Sequence, residues 1–71
     1  MTARPEMIRA LSASMLRLKA MCGLLTTTAT LLSDGRCDDD AANRILIAAG
    51  EAVNAMRAER EAISQTQKPT T

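Results

Sequence analysis

Two long runs of apolar residues spaced alternately three and four apart decide what this chain of 71 residues can fold into. In the first run, Ile8, Leu11, Met15, Leu18, Cys22, Leu25, Ala29 and Leu32 recur through four heptads in unbroken register. In the second, Ala42, Leu46, Ala49, Val53, Met56 and Ile63 follow the same alternation, with only Arg60 breaking it near the end. A strand would place successive residues on opposite faces, whereas a 3–4 repeat lines one face of a helix. The sequence therefore predicts an all-α chain of two helices, over 5–33 and 39–64.

The punctuation between the runs agrees. Pro5 suits a first helical turn, where its missing N–H costs nothing. Gly35 follows Ser33 and Asp34 and suits the left-handed position just past a helix end. Asp38 and Asp39 are the candidate caps of the second helix, with Asp40 close behind in the field of its free N–H groups. A turn over 34–38 makes the helices antiparallel neighbours, because short helix-to-helix connections do so. Residues 1–4 read as a flexible leader and 65–71 as a disordered tail containing Lys68-Pro69. The one irregular stretch is Gly23 with Thr26, Thr27, Thr28 and Thr30, all weak helix formers. A break near residues 22–23 would give three helices instead of two.

The 3–4 repeat suggests a hairpin core of Ile8, Leu11, Met15, Leu18, Cys22, Leu25, Leu32, Leu46, Ala49, Val53, Met56 and Ile63. Leu16, Leu24, Leu31, Ile45 and Ile47 fall outside that seam and offer a second apolar face for a partner. So short a chain buries little surface by itself and usually needs a disulfide, a metal or association to complete a core. The first two are disfavoured. Histidine is absent, and Cys22 and Cys37 alone make half of a usual zinc site. In a hairpin Cys22 lies deep in the first helix and Cys37 in the turn, beyond the reach of a disulfide. Self-association of two hairpins into a four-helix bundle is the expectation, with a heterologous protein partner as the other way to cover the second face.

Other function classes receive less from the residues. Without histidine, a nucleophile would have to rely on a lysine or a carboxylate; Lys19 lies one helical turn from Cys22, but Cys22 belongs to the apolar stripe. The expected protein is thus not an enzyme and needs no cofactor. Asp38–Asp40 lack the alternating ligand spacing of a calcium loop. Cys37 reads as a surface thiol beside Arg36. Nine basic and eight acidic residues leave a net charge of +1, so no overall field draws the chain to nucleic acid or lipid. Small helical-hairpin dimers do bind RNA or DNA, and Arg9, Arg17 and Lys19 are the candidate contacts in that alternative. The longest weakly polar run, over 20–32, falls short of the roughly 20 residues that cross a bilayer. Free cysteines and no secretory leader pattern point to the cytoplasm.

Overall fold

In the computed structural model, described here over residues 3–67, the chain is a hairpin of two antiparallel helices. α1 spans Pro5–Ser33 and α2 spans Asp39–Thr66. α1 is continuous through Gly23. Within the threonine-rich stretch, Thr28 donates its hydroxyl to the Leu24 carbonyl at 2.9 Å, satisfying that side chain within the helix. α2 runs two residues past the expected end, so residues 65–66 are helical and not part of a tail. There Thr66 Oγ1 donates to the Ile63 carbonyl at 2.6 Å. The expectations for residues 1–2 and 68–71 lie outside the described residues.

The turn is built from two end motifs. At the end of α1 the Gly35 N–H donates to the Leu32 carbonyl and the Arg36 N–H to the Leu31 carbonyl, with Gly35 at φ 69. This paired arrangement satisfies carbonyls that the helix itself leaves free, and its positive φ favours glycine. At the start of α2, Asp38 is the cap, its carboxylate accepting from the Ala41 N–H at 2.8 Å. Asp39 is already the first helical residue. Arg36 then bridges Asp40 at 2.8 Å and Asp38 at 3.5 Å, and Arg44 reaches Asp40 at 3.0 Å.

The seam between the helices differs from the expected one. Its residues on α1 are Glu6, Ala10, Ala13, Arg17, Ala20, Leu24, Thr27 and Leu31; on α2 they are Ala41, Ile45, Ala48, Ala52, Ala55, Glu59, Ala62 and Thr66. Every one of these is buried or half-buried. Each set is itself a 3–4 repeat, displaced around its helix from the large apolar stripe. Most members are small, so the two backbones approach closely along this line. Among the described residues, Leu31, Ala41 and Ala52 are the buried hydrophobic ones, at 5%, 2% and 2% exposure.

One ion pair interrupts the small residues. Arg17 Nε lies 2.7 Å from Glu59 Oε1, with side-chain exposures of 27% and 16%. The Nε–H has no well-aligned acceptor, so the contact is chiefly ionic. Arg17 also donates from Nη1 to the Met21 sulfur at 3.5 Å. Counting from this pair sets Leu24 level with Ala52 and Leu31 level with Ile45.

The Arg17 guanidinium, with the Ser14 hydroxyl, holds the Glu59 carboxyl below the usual carboxylate range. The Ala41 N–H, with Arg36, does the same for Asp38. Both groups bind protons more readily in the unfolded chain than in the folded one. Their contribution to stability is present above the ordinary carboxylate range and is lost as pH falls through the lower, folded values.

Two measurements check this account. In denaturant melts, Leu31→Ala should destabilise the hairpin by about 2–3 kcal/mol. Gly23→Ala should stabilise it by about 0.5–1 kcal/mol, since nothing lies within 4 Å of the added carbon. On acid titration followed by circular dichroism, stability should fall below about pH 4, and Glu59→Gln should flatten that limb while lowering stability at neutral pH.

Candidate interaction face

The residues expected to form the hairpin core point elsewhere. Ile8, Leu11, Met15, Leu18, Cys22, Leu25, Leu32, Leu46, Val53, Met56 and Ile63 are all exposed, and only Ala49 is half-buried. Met15, Leu46 and Leu25 expose 70%, 69% and 68% of their surface. The set expected to face a partner is divided. Leu31 is buried, Leu24 and Ile45 are half-buried in the seam, and Leu16 and Ile47 are exposed. Side-chain size explains the difference. Alanine-lined faces let the two helices meet closely, which leaves the large stripe outward.

The exposed stripes of the two helices share one broad side of the hairpin. At about 100° per residue, the α1 stripe is centred roughly two-fifths of a turn from its seam, and the α2 stripe roughly a quarter of a turn, both in the direction of advancing sequence. Antiparallel helices turn in opposite senses when viewed from one end, so these rotations arrive on the same side. Met7 and Met21, both exposed, widen the stripe on α1. From Met7 to Leu32 the α1 stripe has no charged member, and on α2 Arg60 interrupts it near the open end.

The molecular dimensions make this side unusual for a folded chain. The hairpin measures 55 × 23 × 10 Å, a single layer of helices, with a radius of gyration of 16.3 Å. A compact domain of this length has a radius of about 11 Å. Its accessible surface is 5694 Å². A folded monomer of 7.6 kDa exposes about 4,300 Å², so the excess is roughly 1,400 Å². Domains ordinarily close a core between two packed layers, and here one layer is present.

The opposite side is more polar. Leu16, Lys19, Gly23, Thr27, Ala48 and Glu51 contribute to a surface groove of about 470 Å³ there. Of the candidate nucleic-acid contacts, Arg17 is held by Glu59 in the seam, while Arg9 and Lys19 are exposed and about 80° apart around α1. Cys22 and Cys37 are free and exposed. No group of three or more cysteine or carboxylate side chains among the described residues is arranged to hold a metal ion. No helix among the described residues is long and apolar enough to cross a membrane.

Charge is separated along the hairpin. The turn half, residues 21–53, has five carboxylates (Asp34, Asp38, Asp39, Asp40, Glu51) against Arg36 and Arg44, a net of −3. The open half, residues 3–20 and 54–67, has six cations (Arg4, Arg9, Arg17, Lys19, Arg57, Arg60) against Glu6, Glu59 and Glu61, a net of +3.

The sequence reading missed the seam, and a signal for it was present. Alanines at 41, 48, 52, 55 and 62 and at 10, 13 and 20 form the second 3–4 repeat, and Arg17 and Glu59 are the opposite charges within it. No protein-family model, no curated protein and no solved structure matches this chain.

Proposed function

We propose that this chain is a small, non-enzymatic protein-interaction or regulatory module, whose apolar face is covered by helices of another protein chain to close a four-helix bundle. The observation that carries this reading is the continuous apolar side of a one-layer hairpin, exposed along both helices. Large contiguous apolar patches on soluble chains mark interaction sites, and amphipathic helices recognise them through residues spaced three and four apart. A homodimer is the smallest assembly that supplies the second layer, and a pair of helices from a heterologous protein is the other way to supply it.

A second reading, RNA or DNA binding by a homodimeric hairpin, draws on the +3 charge of the open half. Arg9 and Lys19 remain available for phosphates, but Arg17 is committed to Glu59. Phosphate contacts release counterions, so this reading requires binding to mixed single-stranded and duplex probes that weakens steeply with salt. Absence of binding at low ionic strength removes it.

The interaction reading is tested by placing charge on each side of the hairpin. Leu25→Lys should abolish the binding of an apolar fluorescent dye or the association that hides the face, whichever the chain displays. Leu16→Lys, on the other side, should leave both unchanged. Equal effects of the two substitutions, or none from either, would remove the support for a dedicated face.

A further inference from the structure

We infer that the molecule covering the apolar face is a second copy of this chain packed head-to-tail, the turn of each copy lying over the open end of the other. This rests on the reading of the face as an interaction surface and adds both the occupant and its orientation.

Surface area favours a second copy. Two separate chains each expose 5694 Å². A compact particle of twice the mass exposes about 7,100 Å², so full closure buries about 4,300 Å² in total. That lies within the roughly 2,000–5,000 Å² of obligate homodimers. A second hairpin has the same length and breadth as the face it must cover. It also brings the same apolar stripes, so the face of each copy meets its counterpart.

Two twofold arrangements place the apolar faces together. In one, both turns lie at the same end, and α1 packs on α2 of the partner copy. In the other, the turns lie at opposite ends, and each helix packs on its own equivalent. Neighbouring helices are antiparallel in both, so helix dipoles do not choose between them. Side-chain charge does. Turns at the same end set −3 on −3 and +3 on +3, whereas head-to-tail packing sets each −3 half on a +3 half. Opposite fields at an interface fix orientation and disfavour the wrong register.

The native cysteines distinguish the arrangements. Cys22 is three residues from the middle of α1. Head-to-tail packing therefore brings the two copies of Cys22 onto adjacent α1 helices, about 9 Å apart along the bundle axis. It separates the two copies of Cys37 by the length of a helix, about 40 Å. With turns together, the positions reverse: Cys37 meets its equivalent, and the Cys22 thiols lie on opposite sides of the bundle.

The full-length chain, checked for helicity by circular dichroism, is weighed by light scattering and treated with a short bismaleimide as Cys37→Ser and as Cys22→Ala. The expected result is twice the 7.6 kDa chain mass, with covalent dimer from Cys37→Ser and none from Cys22→Ala. Covalent dimer from Cys22→Ala alone would overturn the orientation and leave the interaction face standing. A folded monomer that binds apolar dye in a Leu25-dependent way would overturn the second copy as occupant. A folded monomer without such binding would overturn both.

Discussion

Two helices bury only one line of side chains against each other, and in this hairpin that line belongs to small residues. Ala10, Ala13 and Ala20 on α1 and Ala48, Ala52 and Ala55 on α2 allow close contact of the backbones. Much of the chain's architecture follows. Leucine, methionine and isoleucine side chains at the large stripe lie outside the contact, on the broad side of a layer only 10 Å thick. The hydrophobic effect scales with area removed from water, and the three buried hydrophobic residues among those described are few for such long helices. The surplus of exposed apolar surface therefore begins with the alanines.

The helices and the turn were legible because local chemistry specifies them. The 3–4 repeats set the helical period, Gly35 supplies the positive φ that ends α1, and Asp38 supplies the acceptor that starts α2. The seam was harder to read because each helix carries two interleaved repeats with the same spacing. Periodicity says that a stripe faces something; it does not say which stripe faces the other helix. Side-chain bulk drew attention to Leu11, Leu18, Leu25 and Leu46, which rank high by hydrophobicity and are exposed here. Contact distance favours the opposite choice, and opposite charges at Arg17 and Glu59 marked the register of the second repeat. Leu24, Leu31 and Ile45 sit in that repeat as its large apolar members, displaced from the large stripe, which is why they fell outside the expected core.

Acidic residues around the turn have local roles that explain why they gather there. Asp38 caps α2, while Asp40 is held between Arg36 and Arg44. Those ion pairs are exposed and individually weak. Their collective consequence acts over a longer distance, since five carboxylates in the turn half leave it negative after both arginines are counted. Local helix-starting chemistry thus gives the hairpin a charged polarity that neither helix dipole supplies, the two dipoles being opposed within the hairpin.

The same distinction separates the two apolar repeats by how each fixes alignment. Within the hairpin, a short covalent turn and the Arg17–Glu59 pair leave little freedom for one helix to slide on the other. A partly buried ion pair is weak support for stability, and a register-setting role suits its position between small residues. The large outward stripe has no comparable pair along α1, and leucine and methionine surfaces pack in several alignments. Any specificity in how that face meets another must come from its ends. Arg60, Arg57 and the aspartates beyond Ser33 occupy those ends, with positive charge at the open end and negative charge at the turn.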